Sequence, residues 1–257
     1  MALAHFDLRS RLASGEPFLF SWMTVPSAAL AGQVARLPFD GVCLDMQHGM
    51  IGFPDAVGMI AAVNAAGRPA LVRTLWNDAA TPGQCFDAGA ACVIAPMVNT
   101  RAQAELLVRA AKYPPMGARS WGGYTAQQAS GLTPAEYLRE ANRMTMVFAM
   151  VETVEALENV EAIAAMPGLD GLFVGPSDLS IALSQGSGID KTGAATLAAM
   201  AKVAAAAKRN GLVAGAFGGS VDVIRSYMGL GFTFLAAGVE VDLMQAGAAE
   251  LNRALRV

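Results

Sequence analysis

The stretch "FDGVCLDMQHG", residues 39–49, ends an apolar run on a group of polar residues. Gly41, Val42, Cys43 and Leu44 show no helical period and read as a buried β-strand. Asp45, Gln47 and His48 follow at once: an acid, an amide and an imidazole delivered together. The rest of the chain shows whether this strand is isolated or one unit of a repeating plan.

It repeats. Seven further apolar runs lie at 18–23, 70–73, 92–95, 145–151, 171–174, 212–216 and 232–236. Helix-period segments separate them, for example "PDAVGMIAAVNAAG" (54–67), "TRAQAELLVRAAKY" (100–113) and "TVEALENVEAIAAM" (153–166). Thr100 and Thr153 stand where an N-cap belongs, and Gly67 and Gly211 where a helix stops. Eight strands in 257 residues give about 32 residues per unit, the cadence of a (β/α)8 TIM barrel. The competing plan, an open doubly wound sheet, usually announces a glycine-rich first turn, and none is present. No linker divides the chain, so residues 1–257 read as one barrel domain. Residues 114–132, "PPMGARSWGGYTAQQASGL", break the rhythm and read as a long loop without helical period.

The composition narrows the function. It is 54% hydrophobic and 15% charged, so much of the surface must be buried in a core or between subunits. A net charge of −3 argues against a nucleic-acid partner and against a polybasic membrane anchor. Cys43, Cys85 and Cys92 form no CxxC pair and suit a reduced, cytoplasmic thiol set. Asp7, Arg9 and Arg11 stand where a signal peptide needs an apolar core, and no stretch is long enough to span a bilayer.

In a barrel, reactive groups sit at the C-terminal ends of strands. The polar residues found just after the apolar runs are Asp45, Gln47, His48, Arg73, Glu152, Ser177 and Asp178. Glu152 and Asp178 are one βα unit apart and would top adjacent strands about 5 Å apart. Two carboxylates at that spacing repel unless a cation lies between them, and such pairs commonly hold Mg2+ or Mn2+. Structural alternatives are a strand-end salt bridge for Glu152 and a helix cap for Asp178. Arg73 is costly inside an apolar barrel unless it meets an anion. It either pairs with an internal acid or stabilises charge that develops on a substrate oxygen. His48 is either a satisfied structural histidine or, paired with Asp45, a general base with a fixed tautomer.

Other chemistries lack their residues. Lys112, Lys191, Lys202 and Lys208 end no expected strand, so a Schiff-base nucleophile is missing. "IDKTG" is not a phosphate loop, and neither GxSxG nor HExxH occurs. The fourteen methionines are scattered and read as filler of core or interface.

"LDMQHG", "VRT", "IAPMVNT" followed by "YPPMGARS", then "VETVEALENVEAI" and "GLDGLFVGPSDLS", resemble the HpcH/HpaI aldolase family, the metal-dependent class II pyruvate aldolases. The resemblance runs over about residues 20–237, and the ordered set is far more specific than any one motif. It implies a barrel of the phosphoenolpyruvate/pyruvate superfamily that cleaves 4-hydroxy-2-oxo acids through a pyruvate enolate at a divalent metal. The metal would be Mg2+ or Mn2+, with Co2+ or another divalent ion as alternatives. The products would be pyruvate, or hydroxypyruvate, and an aldehyde. Carried over residue by residue, the metal ligands fall on Glu152 and Asp178, the enolate-stabilising arginine on Arg73, and the Asp–His pair on Asp45 and His48. The pyruvate carboxylate would meet the Gly175, Pro176, Ser177 and Asp178 segment at a helix start. Asp87 matches a position that approaches a neighbouring subunit's site.

The resemblance also implies a homohexamer, and the C-terminal "AAELNRALRV" is expected to pack on a neighbouring subunit through Leu251 and Leu255. This chain departs from many members at Gln47, at Met150 and at "GARSWGG". The first and third departures resemble the branch that acts on longer, sugar-acid-like substrates, which makes Gln47 and Trp121 candidate contacts for the aldehyde half. The alternative for Trp121 is a place in a subunit interface. Two other functions compete: a CoA-thioester lyase of the same superfamily, for which no basic cluster is present, and a barrel that binds an oxo acid without turning it over.

Overall fold

The computed structural model describes residues 8–76, 78 and 80–256. Asp7 and Val257, which entered the expectations above, lie outside the described residues. Eight parallel strands close into one barrel in chain order: β1 Phe18–Met23, β2 Gly41–Asp45, β3 Ala70–Arg73, β4 Cys92–Ala95, β5 Met146–Val151, β6 Gly171–Val174, β7 Val213–Phe217 and β8 Phe234–Val239. The helices between them are α1 Leu8–Ala13, α2 Ala28–Val34, α3 Phe53–Ala65, α4 Thr81–Asp87, α5 Arg101–Ala111, α6 Tyr124–Ser130, α7 Pro134–Met144, α8 Val154–Glu158, α9 Val160–Ala164, α10 Pro176–Leu183, α11 Ala194–Arg209, α12 Val221–Gly229 and α13 Glu240–Leu255.

Strand alternation divides the core into two layers. Phe18, Phe20, Trp22, Leu71, Ile94, Phe148, Phe173 and Phe234 fill the barrel, while Val42, Leu44, Val72, Val93, Val147 and Leu172 face the helices. The interior depends on large rings meeting absent side chains. Phe20 and Phe148 lie 4.5 and 4.7 Å from Phe234, and a Cβ at Gly171 would overlap the Phe148 ring. Each buried ring contributes roughly 1.5–3 kcal/mol. This filling makes the barrel a plug and leaves chemistry to its rim.

Two expectations need correction. The segment 153–166 is two helices, because Asn159 ends α8 and begins α9 while its side-chain amide donates to Asn99 O at 3.0 Å. The stretch 114–132 is not all loop: α6 forms within it and is closed by Gly131 at φ 71°. Seven residues with only Ala126 and Ser130 buried are too few to show an apolar period. Gly67 and Gly211, at φ 78° and 67°, follow their helices as expected. Among the described residues, no helix is long and apolar enough to cross a membrane.

Candidate active site

The C-terminal ends of the strands surround a cavity of about 270 Å³. Trp22, Thr24, Asp45, His48, Arg73, Met150, Phe173, Phe217, Val239 and the Gly175–Pro176–Ser177–Asp178 segment line it. A larger groove of about 920 Å³ opens at the opposite end; in its lining Arg9 and Asp170 are paired with each other, and alanine and glycine supply much of the rest.

Asp45 and Arg73 end neighbouring strands in register. Arg73 donates to both carboxylate oxygens, Nε to Oδ1 at 2.8 Å and Nη2 to Oδ2 at 2.6 Å, a two-pronged geometry that lysine cannot reproduce. Its guanidinium lies 5.0 Å from the centre of the Trp22 ring, and the Trp22 indole N–H donates to Asp45 Oδ2 at 3.2 Å. Asp45 Oδ1 also accepts the backbone N–H groups of Gln47 (3.0 Å) and His48 (3.2 Å), which shapes the turn after β2. Burial alone would raise the Asp45 carboxyl, but the hydrogen bonds and charge of Arg73, the His48 N–H and the indole hold it below its ordinary range.

This corrects the expected Asp–His dyad. Among the described residues no hydrogen bond joins Asp45 to the His48 imidazole. The carboxylate is already occupied by Arg73, Trp22 and two backbone amides, and His48 sits exposed on the rim. Asp45 therefore orients the His48 backbone and fixes Arg73. Arg73 thus pairs with an internal acid, one of its two expected roles, and also lines the cavity.

Glu152 follows β5 directly and is 3% exposed. Its Oε2 accepts the Met97 N–H at 3.0 Å, and a Cβ at Gly175 would overlap its Oε1. Glycine at 175 thus makes room for the carboxylate. Burial, with the charge of Asp178 added, pushes Glu152 up to about 7 against the opposing Met97 N–H and Arg73. Asp178 does not top a strand; it lies in the first turn of α10, where the helix dipole favours an anion. The same turn leaves the Ser177 and Asp178 N–H groups without intrahelical acceptors, and no side chain caps it.

Gln47 is half-buried beside the cavity but outside its lining, and its side-chain carbonyl oxygen has no hydrogen-bond partner among the described residues. Asp87 and Trp121 stand away from this mouth. Asp87 binds Arg119 at 2.5 Å, and Arg119 lies 4.5 Å from the centre of the Tyr113 ring. Trp121 packs on Tyr113 and Tyr137, with ring centres 5.6 and 6.1 Å apart. Trp121 is therefore held against its own tyrosines and lies outside the lining of its own barrel's cavity.

Sequence reasoning missed Trp22, Thr24, Phe173, Phe217 and Val239. Thr24 was findable, being the first polar residue after the β1 run. The other four are apolar or aromatic strand residues and look like core.

The barrel mouth thus gathers three carboxylates, Asp45, Glu152 and Asp178, with Arg73 and His48. The sequence model of the HpcH/HpaI aldolase/citrate lyase family matches residues 19–246, and the chain belongs to that family. A hydroxypyruvate/pyruvate aldolase of Rhizorhabdus wittichii is 37% identical over 92% of this chain and 93% of its own. A 4-hydroxy-2-oxovalerate aldolase of Novosphingobium aromaticivorans is 33% identical over 95% of this chain and 92% of its own. The crystal structure of a family member from Burkholderia cenocepacia superposes with a TM-score of 0.87 at 30% identity, covering 98% of this chain and 99% of that one. The chain is accordingly a carbon–carbon lyase, an aldolase on a TIM barrel.

Proposed function

We propose that this aldolase is divalent-metal-dependent and cleaves 4-hydroxy-2-oxo acids to pyruvate, or hydroxypyruvate, and an aldehyde. One observation carries the reading: Glu152 is buried beside Asp178, and among the described residues it has a single hydrogen bond and no ion-pair partner. Such a carboxylate pair fits a hard cation such as Mg2+ or Mn2+, with room left for water and a chelating oxo acid. A divalent ion held by Glu152 and Asp178 would act as a Lewis acid toward the carboxylate and keto oxygens of the substrate. The remaining work falls to the chain's own groups. The free N–H groups of Ser177 and Asp178 receive the carboxylate. Arg73, fixed by Asp45, faces the keto oxygen and stabilises the charge that develops there. His48 removes the C4 hydroxyl proton as the C3–C4 bond breaks.

The names of the relatives favour this reading over a CoA-thioester lyase. The assembly reading is a homohexamer: α13 buries only Glu240 on its own barrel and leaves Met244, Leu251 and Leu255 exposed. In it, the flank carrying Asp87 and the half-exposed Trp121 faces a neighbouring mouth. Three free, buried cysteines suit a reducing cytoplasm.

Pyruvate release from a racemic 4-hydroxy-2-oxo acid tests the whole. It should require Mn2+ or Mg2+ and stop in EDTA; full activity in EDTA ends the metal reading. His48→Ala should lose roughly 10²–10⁴-fold in cleavage yet keep much of oxaloacetate decarboxylation, which has no hydroxyl proton to remove. Equal loss of both reactions would place the base elsewhere.

A further inference from the structure

Glu240, the first residue of α13, is a buried titratable group with no part in the chemistry above. It is 2% exposed, and its Oε1 accepts the backbone N–H groups of Thr24 at 2.8 Å and Val25 at 2.7 Å, with the Thr24 hydroxyl at 3.3 Å. Its Oε2 is buried and has no hydrogen-bond partner among the described residues. Burying a carboxylate with one orphaned oxygen is costly, and an apolar residue would pack beside Leu30, Val34 and Leu243 without that cost.

The cost has a local return. The Thr24 N–H faces Glu240, while the Thr24 carbonyl accepts the Met50 N–H at 2.9 Å. Gly49 presses on Thr24 so closely that an added Cβ would lie 3.0 Å from the Thr24 Cα and overlap Asp45 O. The turn that carries His48 is therefore held at two ends. Asp45 Oδ1 takes the N–H groups of Gln47 and His48 at its start, and Thr24 takes Met50 at its finish. Thr24 also lines the cavity. Without Glu240, two part-buried amides after β1 lose their acceptor, and the loop that fixes the far end of the turn is free to shift.

We infer that Glu240 is a positioning residue: through Thr24 and Val25 it sets where the His48 turn stands at the barrel mouth. The inference rests on the reading of His48 as the base, and the test separates the two. The chain has two histidines, His5 and His48, so the His48 ring signal in an NMR spectrum can be assigned with His48→Asn and reports the clamp without turnover. Glu240→Met keeps the volume and removes both oxygens. It should shift or broaden the His48 signal and lower kcat for aldol cleavage about ten- to a hundred-fold, the scale of a displaced reacting group. KM and oxaloacetate decarboxylation should stay within about two-fold. Glu240→Gln keeps one carbonyl acceptor for both amides and should restore the signal and the rate.

An unmoved His48 signal in Glu240→Met overturns the inference, as does equal loss of both reactions or a Gln variant as damaged as the Met variant. If the signal moves but His48→Ala cleaves like the wild type, the clamp exists and the base reading is what fails; the catalytic part of the inference falls with it. Should Glu240→Met not fold, amide exchange in the wild type decides. Thr24, Val25 and Met50 should be protected together, and fast exchange at Thr24 and Val25 beside a protected Met50 overturns the clamp.

Discussion

Buried charge lies at both ends of this barrel, and the two ends treat it oppositely. At the floor, Lys112 is 1% exposed and donates to Asn142 O, Thr145 O and Asp170 Oδ2 at 3.1, 2.7 and 2.8 Å. Asp170 is completed by Arg9 at 2.7 Å and by the Val147 N–H at 2.8 Å. The Lys112 ammonium has three acceptors, and the network joins the starts of β5 and β6 to α1, α5 and α7. At the mouth, Glu152 has one hydrogen bond among the described residues, and the added charge of Asp178 raises it further. The floor spends its charges on holding strands together. The mouth leaves Glu152 and Asp178 without an ion-pair partner among the described residues, which costs stability; in the proposed reading a cation would supply the missing charge.

The comparison can be broken first at the floor, where the largest effect is expected. Asp170→Ala leaves the Lys112 ammonium buried without its carboxylate and the Val147 N–H without an acceptor. Breaking such a pair costs roughly 3–5 kcal/mol, to be read from the urea midpoint. Turnover of the enzyme that remains folded should stay within about two-fold, because the network touches no cavity residue. A loss under about 1 kcal/mol would mean that the floor is not fastened by this charge.

At the mouth the sign reverses. Glu152 titrates near 7 in the folded chain against an ordinary 4.5. Between those two values the folded state holds a proton that the unfolded state has released, so stability falls as pH rises across the window and is level above it. Glu152→Gln removes this dependence. In chelator-treated protein it should be more stable than the wild type by up to about 3 kcal/mol at pH 8, with the gain vanishing below pH 4.5. Metal-dependent cleavage should be lost at the same time. Denaturant unfolding at the two pH values checks the sign, and a variant less stable at pH 8 would show that Glu152 already has a partner.

What the sequence made legible follows from the same contrast. The barrel was readable because apolar runs at a steady cadence encode it. Asp45, Arg73 and the Gly175–Asp178 segment were readable because a charged or small residue after such a run is conspicuous. The partnership of Asp45 was not: three residues of spacing point to His48, whereas the hydrogen bonds run across the strand register to Arg73, 28 positions away. Glu240 was hidden for a related reason. Its partners lie 216 and 215 positions away, and the closed barrel alone brings β8 beside β1. The charges of the floor, Lys112 and Asp170, end no strand and carry no local sign of their burial.

The smallest expected effect concerns the flank that belongs to neither end. Trp121 is 42% exposed, with Tyr113 and Tyr137 beneath it and Arg119 fixed by Asp87 close by. Contacts of this kind contribute about 0.5–1.5 kcal/mol each beyond area. Its free surface is available to a neighbouring barrel, and the hexameric reading puts a partner's mouth there. Trp121→Ala should then change the ranking of aldehydes by about three- to ten-fold, since about 1 kcal/mol of contact is at stake. Oxaloacetate decarboxylation, which involves no aldehyde, should not move. Competition between two aldehydes for pyruvate, read by product mass, measures the ratio directly. An unchanged ranking with a smaller particle in light scattering would make Trp121 an interface residue alone, and the aldehyde half of the site would then consist of mouth residues such as Thr24, Phe217 and Val239.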